Sequence, residues 1–278
     1  MIESILSILN TKMEEPSLFG WYHILWILIS LVFAWVMCKS YDRSSRKERH
    51  IFRAVFFTAA VVAVFELLKM INFNLVWENG ALKADVQWYA FPFQFCSTPM
   101  YIGLMTGIFR RGKINDALCT YLASYAVFAG LCVMIYPGDV FIETVLINIQ
   151  TMICHGSMIS VGIYLVYTGR VRIKDFVKAV PVFLTCVVIA LLLNEGAYRV
   201  GLIEAGHDFN MFMLSRHCEP ALPVFSWVQH HVKYHWELMI YVSVFTLAGY
   251  AVLVLQWALL NLEKGKKAKR SNTHRLHA

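Results

Sequence analysis

The chain has 278 residues, of which 58% are hydrophobic and only 15% charged, with a formal charge of +7. Soluble domains carry about 45–50% apolar and about 25% charged residues. The composition therefore excludes a disordered chain, a coiled coil and an ordinary soluble enzyme domain, and it points to an all-α, polytopic membrane protein.

Residues 1–15 place Ile2, Leu6, Leu9 and Met13 on one helical face before Pro16, the pattern of a short interfacial helix. There is no basic leader or small-residue cleavage site, so a cleaved signal peptide is not expected. A membrane span takes about 20 mostly apolar residues. Seven segments qualify: Phe19–Met37, Phe52–Phe73, Ala90–Phe109, Ala117–Tyr136, Phe141–Thr168, Phe176–Tyr198 and Trp236–Leu262. The expected architecture is a seven-helix membrane domain over 16–262, with an interfacial helix over 1–15 before it and a basic tail over 263–278 after it. No internal repeat is visible.

Charge placement sets the orientation. The connections after spans 1, 3 and 5, together with the tail, hold 19 of the 25 Lys and Arg residues. Among them are Arg43, Arg46, Lys47, Arg49 and Arg53 after span 1, and Arg170, Arg172, Lys174 and Lys178 after span 5. The other side carries only Lys12, Lys83, Arg199, Arg216 and Lys233. The N-terminus is expected outside and the C-terminus in the cytoplasm, with the basic excess against an anionic leaflet rather than a nucleic acid.

Ionisable and amide side chains within spans are expensive, so each is a functional candidate. They are Glu66 and Lys69 on span 2, Asn148, Gln150 and His155 on span 5, and Asn194 and Glu195 on span 6. At about 1.5 Å rise per residue, Glu66, Cys96, His155 and Asn194 fall in the outer half of the bilayer or near its centre. Four spans thus point polar groups at one expected cavity. Lys69 is expected to snorkel outward, and Asn194 has a helix-gluing alternative.

Seven cysteines with no CxxC spacing argue against a disulfide framework or zinc ribbon. Most are expected to pack as small apolar residues. Cys96 differs because Pro92 and Pro99 bracket it, and prolines free backbone groups that a membrane tolerates only beside protein or a cavity. A thiol needs a base to become a nucleophile, and His155 is the span residue suited to that work. Towards the C-terminus lie His207, His217, His230, His231 and His235. His231 and His235 are spaced i, i+4 and, with His217 and Cys218, offer a zinc alternative. The HExxH glutamate is missing, so solvated or headgroup-facing histidines are the preferred reading and no metal is expected.

These residues also carry a likeness. Phe91-Pro92-Phe93-Gln94-Phe95-Cys96 resembles the LPL-x-L-C opening of a middle span in the YwaF-like bacterial membrane proteins. Cys154-His155-Gly156 resembles their later histidine span, and Asn194 followed by Asn210-Met211-Phe212-Met213-Leu214 resembles their N…NY-x-F-L segment. That family is similar to the animal transmembrane protein 164 group of cysteine acyltransferases acting on ether phospholipids. The resemblance covers roughly residues 15–260. It implies a nucleophilic cysteine and a histidine about sixty residues later, which Cys96 and His155 match at a separation of 59. Gln94 stands where many members have histidine, and Met211 where they have tyrosine.

The expected function is transfer of a fatty acyl chain from a phospholipid to a lysophospholipid or other amphiphilic acceptor through a thioester on Cys96. His155 is the expected base and Asn194 its orienting or oxyanion partner. Glu66, Gln94, Asn148, Asn210 and Arg216 are supporting candidates. No cofactor or nucleic acid is called for; membrane lipids are the expected partners, and the sequence leaves the oligomeric state open. A hydrolase built on the same pair, and a transporter or small-molecule receptor, are the rivals. Site-specific tag labelling in intact cells is expected to find residue 1 outside and residue 278 inside; a cytoplasmic residue 1 overturns the orientation.

Overall fold

A computed structural model describes residues 2–138, 140–218, 226–228 and 231–276, with the side chains of 263–276 left aside. His230 and the side chains of Lys264, Lys266, Lys267, Lys269, Arg270 and Arg275 lie outside the described set. The helices are α1 (Ile2–Leu9), α2 (Trp21–Arg43), α3 (Lys47–Asn74), α4 (Thr98–Ile108), α5 (Lys113–Ala123), α6 (Tyr125–Ile135), α7 (Val145–Tyr167), α8 (Val180–Arg199) and α9 (Tyr234–Leu276). A hairpin of β1 (Leu75–Glu78) and β2 (Ala81–Ala84) follows α3.

Among the described residues six segments are long and apolar enough to cross a membrane: α2, α3, α5 with α6, α7, α8 with the turn before it, and α9. The polytopic all-α expectation stands, but seven spanning helices do not. The expected third span, Ala90–Phe109, is a single 3-10 turn (Trp88–Ala90), an irregular stretch and the 11-residue α4. At about 1.5 Å per residue α4 covers roughly 16 Å, about half of a hydrocarbon core. The two prolines explain the difference. Neither can donate in a helix interior, each disfavours helix at the residue before it, and Pro99 is welcome only in the first turn of α4. The expected fourth span is also broken, at buried Ser124 (φ −123°, ψ −82°), whose hydroxyl donates back to the Thr120 carbonyl at 2.6 Å.

α7 is the spine. It packs against α2, α3, α5, α6 and α9 and, with α5–α6, is mostly buried. α2, α3, α8 and α9 keep an apolar outer surface, including Leu28, Phe57, Leu192 and Leu247, as lipid-facing helices do. Small residues let α7 approach its neighbours. A Cβ on Gly156 would meet the Ser30 hydroxyl on α2, and one on Gly162 would meet Val127 on α6. Beside α5–α6, Tyr121 and Tyr125 stack at 5.5 Å, and Tyr125 lies 4.4 Å from Phe183 of α8.

The ends of the bundle differ. At one end the basic connections are tied together, Arg111 to Glu48 at 3.0 Å and Arg170 to Asp116 at 2.7 Å. At the other, Asn72 donates to the Leu9 carbonyl and the Asn10 side chain, and Met13 N–H bonds the Glu143 carbonyl. The N-terminal helix therefore stops at Leu9 rather than running on through Met13, because these bonds turn the chain along α3 and the Glu143–Val145 segment. The hairpin at this end was legible but missed. Asn79 and Gly80 both have positive φ (54° and 76°), the two-residue turn that an Asn-Gly pair favours.

Gly156→Val and Gly162→Val are each expected to lower the thermal midpoint of the detergent-solubilised protein, at a cost of about 1–3 kcal/mol from overpacking. Gly196→Ala, where an added Cβ meets nothing within 4 Å, is expected to leave it unchanged. Equal midpoints for all three would contradict the close packing of α7.

Candidate functional site

The irregular stretch Phe91–Ser97 packs against the core of the bundle, where its backbone looks to protein for partners. The Pro92 carbonyl accepts from the Tyr101 hydroxyl at 2.7 Å, and the Phe95 carbonyl from Thr98 Oγ1 at 3.0 Å. Ser97 and Thr98 N–H both donate to the Gln94 carbonyl. The Cys96 carbonyl accepts a weak bond from Cys154 Sγ at 3.7 Å. By contrast, the Gln94 and Phe95 N–H groups donate to no acceptor among the described residues. Cys96 thus sits at the head of α4, two residues before Thr98, with its thiol facing its own N–H and the Ser97 hydroxyl. A helix N-terminus presents partial positive charge, the environment in which cysteine thiolates are stabilised.

A second irregular segment closes over the first. Phe209, Met211, Phe212 and Leu214 are all buried. Phe212 and Met213 hold φ near +58°, a conformation that bulky residues adopt only when their surroundings enforce it. The enforcement is a double amide clamp. Gln94 Nε2 donates to the Asn210 carbonyl at 3.2 Å while Phe212 N–H donates to Gln94 Oε1 at 3.1 Å. Asn194 Nδ2 donates to the Met211 carbonyl at 3.0 Å while Met211 N–H donates to Asn194 Oδ1 at 2.7 Å. Asn210 Oδ1 in turn accepts from Ser215 N–H at 2.9 Å. The Phe91, Phe93 and Phe95 rings pack against Phe209 and Phe212.

Between α3 and α7 lies a buried polar chain. Glu66 Oε1 accepts from Lys69 Nζ at 2.6 Å, and Oε2 accepts from Gln150 Nε2 at 2.8 Å. Lys69 therefore does not snorkel outward: its side chain is only 14% exposed and is held by Glu66. An outward lysine on this face would strand a buried carboxylate, which costs more than keeping both charges inside as a pair.

His155 is buried, with Nδ1 2.7 Å from the Thr151 carbonyl. A carbonyl only accepts, so Nδ1 carries the proton and Nε2 presents its lone pair. Among the described residues Nε2 is buried without a hydrogen-bond partner, Cys96 included. A buried orphan imidazole nitrogen is rare in a folded protein and calls for an explanation.

The structure thus joins Glu66, Lys69 and Gln150 in one hydrogen-bonded chain and brings Cys96 against α7 through Cys154, while no bond joins Cys96 to His155. It spends Asn194 and Gln94 on backbone clamps, where the sequence suggested an orienting role for Asn194. Asn148 is likewise occupied, bonded to Ile142 N–H and carbonyl at 3.0 and 2.6 Å. Arg216 lies apart, paired with Glu195 at 3.1 Å beside His217, whose ring stacks on Tyr198 at 3.6 Å. His231 bonds the Trp227 carbonyl, and among the described residues no three His, Cys, Asp or Glu side chains converge as metal ligands. Sequence reasoning missed Cys154 and misjudged Lys69. The i, i+3 spacing of Glu66 and Lys69 was the available signal for their pairing.

A family model described as "TMEM164 family" matches residues 18–255. Searches of curated proteins and of solved structures return no match.

Gln94→Leu and Asn194→Leu each strip two bonds from the buried 210–212 backbone. Each is expected to cost about 1–3 kcal/mol and to speed hydrogen exchange at Met211 and Phe212. Wild-type exchange there in both variants would refute the clamp.

Proposed function

This chain belongs to the TMEM164 family, and from that membership and the geometry around Cys96 we propose that it is a membrane-embedded acyltransferase working through a cysteine thioester. The observation that carries the reading is the orphan Nε2 of His155, one residue along α7 from Cys154, whose Sγ lies 3.7 Å from the carbonyl of a cysteine at the head of a short helix. We place the protein in a bacterial cell membrane, with the basic end of the bundle and the C-terminus cytoplasmic and the site toward the outer leaflet.

In this reading His155 Nε2 takes the Cys96 proton, and the thiolate attacks the ester carbonyl of a phospholipid. The oxyanion of the tetrahedral intermediate meets the N–H groups of Gln94 and Phe95, donors of the kind worth several kcal/mol when preorganised. The carbon–oxygen bond then breaks, and the departing lysophospholipid alkoxide takes the proton from His155. An acceptor hydroxyl next gives its proton to His155 and attacks the thioester, which forms the new ester and frees the Cys96 thiolate to recover that proton. The Lys69–Glu66 pair supplies a fixed cation beside the sulfur. Gln94, Asn194 and Asn210 are positioning residues, because they hold the Phe209–Leu214 segment over the turn. A hydrolase differs only in taking water in the second half, since the same Cys–His pair serves both.

Protein purified from cells is expected to carry an acyl chain on Cys96 that neutral hydroxylamine releases. Cys96→Ala is expected to abolish transfer in a folded protein. His155→Ala is expected to slow it by about 10²–10⁴-fold. The double variant is expected to be scarcely worse than Cys96→Ala alone, because the two act as a unit. Full transfer by Cys96→Ala would sink the mechanism. Free fatty acid released in place of an acylated acceptor would assign the hydrolase.

A further inference from the structure

α2 and α3 both pack on α7 but scarcely on each other, and the space between them is a groove of about 670 Å³ that no mechanistic step above uses. Its walls are apolar, with Ile29, Phe33 and Val36 on one side and Phe57 and Val61 on the other. Its floor is α7, where the hydroxyls are spent on backbone. Ser157 Oγ donates to the Cys154 carbonyl at 2.8 Å, and Ser160 Oγ to the Ser30 carbonyl at 2.7 Å. At the basic end, His50 is bonded on both nitrogens, to Tyr164 at 2.7 Å and to Ser40 at 2.8 Å. Arg53 lines the same end, is exposed, and enters no ion pair among the described residues.

We propose that this groove is a binding site for one phospholipid molecule, an acyl chain lying between α2 and α3 and the phosphate at Arg53. The lining runs from Trp26 to Ser40 along α2, about 21 Å at helical rise, which exceeds the roughly 15 Å depth of one leaflet's hydrocarbon. An apolar trough with satisfied polar groups and one free guanidinium at its mouth suits an amphiphile with a single anionic head. The charge around the mouth agrees, since Lys39, Arg43, Arg46, Lys47 and Arg49 crowd the connection beside it.

This lipid is not the acyl donor. Arg53 and Glu66 are thirteen residues apart on α3, about 20 Å, so a phosphate at Arg53 keeps its ester groups near the basic end and away from Cys96. The site is therefore an accessory one, and the inference stands whether or not Cys96 forms a thioester.

The test equilibrates the full chain with phosphatidylcholine–phosphatidylglycerol vesicles and, separately, with vesicles carrying dioleoylglycerol, then extracts it for native mass spectrometry. One retained phosphatidylglycerol per chain is expected, with no retained dioleoylglycerol. Arg53→Ala is expected to cut retention about tenfold, the loss of a charge-assisted hydrogen bond. Ala54→Phe, which fills the groove, is expected to do the same. Arg111→Ala, at the same end but paired with Glu48, is expected to retain the lipid as wild type does. If Ala54→Phe does not fold, the surface change Arg53→Ala still decides. Undiminished phosphatidylglycerol in Arg53→Ala, equal retention of dioleoylglycerol, or a protein dimer without lipid would each overturn the proposal. Normal thioester formation on Cys96 in Arg53→Ala is expected, which separates this site from the reacting one.

Discussion

Backbone N–H and C=O groups in hydrocarbon have to find partners within the protein, and this bundle contains two stretches that cannot find them by forming a helix. Pro92 and Pro99 take Phe91–Ser97 out of helical conformation, and left-handed residues at Phe212 and Met213 do the same for the second stretch. The fold settles both by placing them against each other. Gln94 reaches from the first to the backbone of the second, and Asn194 holds the second to α8. Those amides spend both donor and acceptor on backbone atoms. That is why they serve as braces and why the turn at Cys96 is held still.

The same constraint accounts for the arrangement around α7. A central helix that contacts five others needs small residues where backbones come close, and Gly156 and Gly162 meet that need against α2 and α6. Gly156 directly follows His155. The tight packing that fixes the helix therefore also fixes the imidazole, whose Nδ1 is anchored one turn back at Thr151. An orphan nitrogen in a rigid frame is a reservoir of unsatisfied bonding, and such a cost persists where function uses it.

Glu66 and Lys69 show how a buried pair alters chemistry without touching a substrate. Each charge alone would be costly at this depth; together, with Gln150 on the second carboxylate oxygen, they form a closed network. Its geometry is fixed by those bonds, between α3 and α7. The α2–α3 groove is the opposite case. Its polar groups face inward to backbone and its walls are left to lipid, so it offers shape and one charge rather than a field.

Composition and charge spacing alone determined that this is a helical membrane protein and which connections share one end, while the bracketing prolines made Cys96 a candidate. Those properties are local: apolar run length, basic clustering, and a cysteine between two prolines. Tertiary structure decided what spacing cannot encode. Pro92 and Pro99 announced a disturbance, but whether it would be a kink in a seventh span or a break with a short helix depended on Tyr101 and Thr98 bonding the freed carbonyls and on Gln94 bracing the 209–214 segment against the turn. Lys69 looked free to reach outward because its neighbour on the next helix, Gln150, and the depth of Glu66 are set only by packing. Asn194 was legible as an important polar residue, yet its work as a backbone clamp was not, since its partner Met211 lies on another segment. A side chain's chemistry is written in its identity; the partner that uses it is chosen by the fold.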